Sequence, residues 1–236
     1  AGGPLAAQTV MLRVSHRFGA DSGIGALARA VNAGSPQALA AAWDEGYGDI
    51  ARLVVGTSAD ARFARMVLEG EAGHGAVRPR GYRHYLELIQ TKPAQTMPDE
   101  PGFLAWVATV LVALDEFRLL CALRRGDWGV EGINARVEAI LGEAGLIAPT
   151  TAWYEGRPVL VTRNDYGLGL MNGDVGLALK VRVPGASGPA EVVRVFFQTE
   201  TGLRSVSPSR LGEVETVYSM TVHKSQGSQL THTALV

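Results

Sequence analysis

The chain has one cysteine in 236 residues, which excludes an internal disulfide and any cysteine-based zinc cluster. Cys121 lies in the run FRLLCAL and reads as a buried strand residue rather than a reactive thiol. Long hydrophobic runs are also missing. The longest, VATVLVAL from Val107 to Leu114, is far too short to cross a bilayer, and no charged segment precedes an apolar signal near the start. A cytoplasmic location with no membrane partner is therefore expected. Lysine is scarce, at three residues against nineteen arginines, and the 22 cations meet 23 acidic side chains for a formal net charge of −1. Affinity for a phosphate backbone rests largely on Lys and Arg, so this balance argues against a stand-alone DNA binder. It leaves room for a motor that holds a strand through hydroxyls, amides and aromatics. No GxxxxGK[ST] string occurs, so the chain has no loop of that kind to cradle phosphates. His74 and His84 have no acidic or histidine partner at metal-ligand spacing, and no metal site is expected.

What is present is enough for a real core, with 47% hydrophobic residues. Thr9 to Val14 alternates as a strand. Ser22-Gly23 opens a helix GIGALARAVNAG that Gly34 closes, and Ser35-Pro36 starts another that runs to Gly46. ARLVVG, from Ala51 to Gly56, reads as a short buried strand. ADARFARMVLEG and YRHYLELIQ have helical spacing, which makes Phe63, Met66, Val67, Tyr82, Tyr85, Leu86 and Ile89 core residues. Pro93 to Gly102 is a loop. VATVLVALDEF imitates the strand and acidic pair that hold magnesium in nucleotide hydrolases, but Trp106, Val110 and Leu114 lie at helical spacing. Gly102 to Glu116 is therefore expected to be a helix, and a self-sufficient kinase using Asp115 and Glu116 is excluded by the missing phosphate loop.

FRLLCALRRGDWGVEGINARVEAIL reads as strand, turn and helix, and its continuous apolar strand suits a parallel sheet buried on both faces. Trp128 in that turn is open to two readings, base stacking or a packing anchor. From Gly156 the pattern changes. A strand PVLVTR leads to a glycine-rich turn, Asn172-Gly173-Asp174 makes another, and VGLALKVRV, EVVRVFFQT and LRSVSPSRL alternate as antiparallel strands of a small barrel. Arg163, Asn164, Asp165 and Tyr166 serve equally well as nucleic-acid contacts or as turn builders.

The sequence TVYSMTVHKSQGSQLTHTALV, Thr216 to Val236, returns to strand, polar loop and strand. Val217, Met220 and Val222 form an apolar approach, and Thr221, His223, Lys224, Ser225, Gln226 and Ser228 gather hydroxyl, imidazole, amide and ammonium groups. Gly227 lets a backbone come close to a ligand. α/β proteins place their chemistry at this kind of sheet rim.

TVHKSQGS followed by an apolar strand resembles motif V of superfamily 1 helicases, in the form found in RecD, the alpha subunit of exodeoxyribonuclease V. VSHRFGADSGIGALARAVNAG resembles the motif IV region of the same family. The LCA strand with its GVEGIN helix start, and VTRNDY with NGDVG, resemble two further blocks in the same order. The implied fold is a RecA-like parallel sheet with flanking helices, incomplete over residues 1–169 and 214–236, and an SH3-like β-barrel inserted at 170–213. The implied function is the second motor domain of an ATP-driven, magnesium-dependent 5′-to-3′ translocase on single-stranded DNA. Such a subunit works with RecB-like and RecC-like subunits in double-strand break repair and recombination.

The resemblance implies that Arg17 reaches the terminal phosphate of ATP, and that Gln226, Gly227 and Gln229 face the nucleotide. Gln229 stands where the family usually has glutamate and keeps a hydrogen-bonding group without the charge. Thr221, His223, Lys224 and Ser225, with Arg163 and Asn164, are the implied DNA contacts. With both ends expected to be cut, a first motor domain carrying the phosphate loop is the implied partner, and neither ATP nor magnesium is held by this chain alone. The competing reading is a non-catalytic interaction module, in which the barrel from Leu170 to Leu211 docks on a protein and the polar loop is structural; the net charge is its best support.

Overall fold

A computed structural model describes residues 18–19, 21–70, 80–93, 100–184 and 190–236. The described residues up to Val54 form one compact unit and those from Val55 a second.

In the first unit Ser22 caps α1 (Gly23–Asn32) by accepting a hydrogen bond from the Gly25 amide. The Asp49 carboxylate accepts from the Gly23 and Ile24 amides and from the Ser22 hydroxyl, so the first turn has its orphan donors filled from within the unit. Ser35 caps α2 (Pro36–Asp44) in the same way, with Pro36 in the first turn. Both helices begin where the sequence places them. The strand expected over residues 51–56 does not form; these residues are irregular, and Val54 is 63% exposed. An apolar run becomes a strand only when another strand pairs with it, and no described strand lies beside this one. The strand expected from Thr9 to Val14 and Arg17 lie outside the described residues.

The second unit carries α3 (Ala61–Glu69), α4 (Arg83–Gln90), α5 (Pro101–Asp115) and α6 (Val130–Glu143). Their apolar stripes are buried, including Phe63, Tyr85, Ile89, Trp106, Val110 and Leu114. Asp115 ends α5 and Glu116 follows as its cap, so the acidic pair belongs to a helix. Between α5 and α6 runs β1 (Phe117–Cys121), buried along its whole length. It is the centre of a three-stranded parallel sheet, flanked by β7 (Ser219–Thr221) and β8 (His232–Leu235). Burial on both faces explains why its sequence is apolar apart from Arg118, whose guanidinium has the Val217 carbonyl and Asp115 as partners.

A second sheet is antiparallel, in the order β5-β4-β3-β2-β6, with β2 (Pro158–Val161), β3 (Val175–Val183), β4 (Ala190–Thr199), β5 (Gly202–Val206) and β6 (Val214–Thr216). A 3-10 turn, Pro208–Arg210, precedes β6. Its core gathers Val159, Leu170, Ala178, Val195 and Phe197. The expected division at residues 170 and 213 needs correction here: Val159 pairs with both Gly176 and Thr216, so β2 and β6 belong to the antiparallel sheet. β6, the more distant of the two partners of β2, lies more than fifty residues along the chain, and local pattern carries no trace of it. No helix among the described residues is long and apolar enough to cross a membrane.

Candidate functional site

The polar loop begins at the carboxyl end of β7, and the segment entering that strand is firmly held. Asn134 of α6 donates through Nδ2 to the Thr216 carbonyl at 2.8 Å and accepts through Oδ1 from the Ser219 amide at 2.7 Å and the Ser219 hydroxyl at 3.1 Å. Arg118, 1% exposed in β1, donates to the Val217 carbonyl and to Asp115, both at 2.8 Å. The Tyr82 hydroxyl donates to the Tyr218 carbonyl. The Tyr218 and Tyr154 hydroxyls lie 3.0 Å apart, and Tyr154 donates to Glu138 at 2.6 Å. Burial pushes the Tyr82 hydroxyl up to about 12, and pushes Tyr154 and Tyr218 up as well. These phenols remain neutral donors across the physiological range.

Beyond Thr221 the chain supports itself. The Ser225 amide reaches the Thr221 and Val222 carbonyls, the Gln226 amide reaches His223, and the Ser228 amide reaches Ser225. The Lys224 amide donates to the Thr221 hydroxyl oxygen, and Ser225 donates its own hydroxyl to the Val222 carbonyl at 2.8 Å. Thr221 thus keeps a hydrogen to donate outward, whereas Ser225 offers an acceptor. Gly227 has φ 87°, and a Cβ there would meet nothing within 4 Å. Its need for glycine is one of backbone conformation, and the space above it is open to a ligand. His223, Gln226, Gly227 and Gln229 are exposed, Thr221, Lys224 and Ser225 half-buried. Val217 and Met220 are buried as the pattern requires, but Val222, read as part of the same approach, is 44% exposed and belongs to the loop.

Lys224 is tied down. Its Nζ lies 2.7 Å from Glu215 Oε1, and Arg124 Nη2 lies 3.2 Å from Glu215 Oε2. Burial raises the Glu215 carboxyl, but Lys224 and Arg124 outweigh that and hold it below the ordinary glutamate range.

Arg163 and Asn164 sit apart from this loop, in the β2–β3 connection, where both are exposed. Asn164 builds the turn, accepting from the Asn172 amide at 2.8 Å and donating to the Tyr166 hydroxyl at 3.2 Å. With Asp165, Leu168, Leu211 and Glu213 they line a cleft of about 220 Å³. Trp128 packs edge-on against Phe63 at 5.8 Å, which accounts for it as an anchor. Among the described residues no group of three or more His, Cys, Asp or Glu side chains could hold a metal ion.

Sequence reasoning missed Asn134, Glu215 and Arg124. Asn134 had a signal, the asparagine of GVEGIN in the first turns of α6. Gly132 in the same string packs so close that a Cβ would stand 2.5 Å from the Gly126 carbonyl oxygen, which brings the turn after β1 against the helix. Glu215 had none, being one acidic residue in a short strand.

α/β proteins hold their ligands at the carboxyl ends of parallel strands, and this exposed polar loop stands at such an end. No protein-family model matches the chain. It is 38% identical over 224 residues to the RecBCD enzyme subunit RecD of Mycobacterium tuberculosis, covering 95% of this chain and 33% of that protein. To the subunit of the same name in Haemophilus influenzae it is 30% identical over 233 residues, covering 95% and 32%. The chain is similar to these RecD subunits along nearly all of its own length and spans about a third of theirs. The ATP-dependent RecD2 DNA helicase of Deinococcus radiodurans is 27% identical over 114 residues, 48% of this chain and 15% of that one. Among solved structures, the Pif1 helicase from Bacteroides in complex with ADP-AlF3 and ssDNA covers 65% of this chain and 40% of its own at 16% identity, with a TM-score of 0.29. A score that low establishes no common fold.

Proposed function

We propose that this chain is the second, RecA-like motor half of an ATP-driven 5′-to-3′ translocase on single-stranded DNA, working in the cytoplasm with RecB-like and RecC-like subunits. The observation that carries the reading is the exposed, self-supported loop Val222–Gln229 at the carboxyl edge of β7, in a chain that matches RecD subunits over 95% of its length. ATP and magnesium would be held chiefly by a first motor domain bearing the phosphate loop. Arg17 stabilises charge on the terminal phosphate, and Gln226, Gly227 and Gln229 face the nucleotide from this side. Thr221 and His223 donate to strand phosphates, Ser225 accepts, and Arg163 and Asn164 give a second contact.

The antiparallel sheet is proposed to be an SH3-like barrel of residues 158–216. The order β6-β2-β3-β4-β5, with a 3-10 turn just before β6, supports that topology.

Two measurements test the reading. In the intact protein with its partner subunits, Arg17→Ala abolishes DNA-dependent ATP turnover while leaving the thermal transition in place; wild-type turnover would overturn the role of Arg17. With this chain, salt-sensitive anisotropy of labelled oligo-dT weakens in the Thr221→Ala/His223→Ala variant. Binding that ignores the double change removes the strand from the loop.

A further inference from the structure

Arg124 follows β1 and Lys224 follows β7. Because these strands are parallel neighbours, both cations stand at the same carboxyl edge. Glu215 of β6 lies between them and gives one carboxylate oxygen to each, Oε1 to Lys224 Nζ at 2.7 Å and Oε2 to Arg124 Nη2 at 3.2 Å. A backbone phosphodiester presents two non-bridging oxygens in a similar spread, and guanidinium and ammonium groups recognise both anions through the same charge-assisted hydrogen bonds. The three side chains sum to one positive charge. Their side chains are 57%, 27% and 34% exposed for Arg124, Lys224 and Glu215, so a strand in solution reaches them. The adjoining cavity has a volume of about 10 Å³, room for roughly one water. An anion that bridges the two cations from where Glu215 now lies therefore takes the place of the carboxylate.

We propose that Arg124 and Lys224 form a two-cation subsite for a backbone phosphate of a single strand, with Glu215 as the internal anion that holds the pair in register and is displaced on binding. The identity of the ligand rests on the motor reading; the geometry of the subsite does not. Two long side chains left alone would sample many rotamers, and the carboxylate keeps them paired at the ligand edge. The same carboxylate competes with the strand. Glu215 thereby weakens binding while confining it to anions able to bridge both cations.

The test is anisotropy of labelled oligo-dT with this chain over a salt series, comparing wild type with Glu215→Gln, Glu200→Gln, Arg124→Gln, Arg124→Gln/Glu215→Gln and Thr221→Ala/His223→Ala. Glu215→Gln is expected to bind at least threefold more tightly at low salt, with the log–log salt slope steeper by about 0.7 for one added phosphate contact. Glu200→Gln makes the same charge change at an exposed residue of the β4–β5 turn and is expected to give less than half that gain. Arg124→Gln is expected to cancel it in the double variant, and the gain is expected to persist on an abasic deoxyribose-phosphate oligomer. Glu215→Gln binding no better than wild type, a gain matched by Glu200→Gln, or a gain surviving Arg124→Gln would each overturn the subsite. Wild-type binding weakened by Thr221→Ala/His223→Ala but indifferent to Glu215→Gln overturns the subsite and leaves the motor reading standing. A gain on Glu215→Gln with no loss on the Thr221/His223 change supports the subsite and removes the loop contact. No binding by any variant overturns both.

Discussion

Two adjacent stretches of the same segment are held by opposite means. Thr216–Ser219 is fixed from outside: α6, β1 and Tyr82 at the start of α4 each send a side chain to it, and Val217, Tyr218 and Ser219 are at most 1% exposed. Val222–Gln229 is held mainly by its own short-range turns and faces solvent, with the Lys224 ion pair as its tie to β6. The proposed ligand edge would benefit from this division. The strand entering the loop has a defined position, so Thr221 is placed better than a loose loop would allow, while the loop beyond is free to adjust. Local stability should follow the same division.

The largest effect is expected where the outer clamp is cut. Asn134→Ala leaves the Ser219 amide and the Thr216 carbonyl without their partner, and buried unsatisfied groups cost about 1–3 kcal/mol each. A loss of about 3 kcal/mol is expected, seen in thermal unfolding as a fall of roughly 10 °C for a chain of this size. An unchanged transition would mean that the clamp is redundant. Hydrogen exchange gives the contrast directly: the Ser219 amide should be protected orders of magnitude more than those of Gln226 and Ser228, and equal rates would erase the distinction. A step down in size, Tyr154→Phe removes the hydroxyl shared with Glu138 and Tyr218 and should cost about 1–2 kcal/mol. Gly227→Ala comes next, at about 1 kcal/mol by the same measurement, because φ 87° is strained for alanine although the space is open.

The parts of this arrangement that could be read in the sequence are those settled within a few residues. Ser22 and Ser35-Pro36 announced their helices, because capping depends on groups two or three residues away. The apolar run of β1 announced burial on both faces, and helical spacing separated α5 from a magnesium-binding strand. What failed depends on partners far along the chain. Residues 51–56 are as apolar as a strand, but no strand among the described residues comes alongside. The boundary at residue 170 missed β2, whose place is decided by pairing with Thr216. Asn134 meets Ser219 across 85 positions and Arg124 meets Glu215 across 91; no local pattern distinguishes these from other polar residues on a helix or in a turn. The loop itself was legible as a motif because its chemistry is contained in eight consecutive residues.

The smallest effect concerns the tie between the two stretches. Glu215 has its carboxyl held below the ordinary value of 4.5 by Lys224 and Arg124 against an opposing contribution from burial. A depressed folded value stabilises the protein fully above the unfolded value, and that stability disappears as pH falls through the folded one. With about a third of the Glu215 side chain exposed, solvent screening limits the pair to about 0.5 kcal/mol, a shift of about 1–2 °C in thermal midpoint. Wild type and Glu215→Gln should therefore differ by that amount at pH 7 in low salt and converge as the pH drops below the ordinary glutamate range. They should also converge in high salt, where exposed pairs are screened. A difference of several kcal/mol at pH 7 would make Glu215 part of the clamp rather than a tether, and the loop would then share the rigidity of Thr216–Ser219. A small difference paired with a clear change in strand affinity is the combination expected of a carboxylate that a ligand can displace.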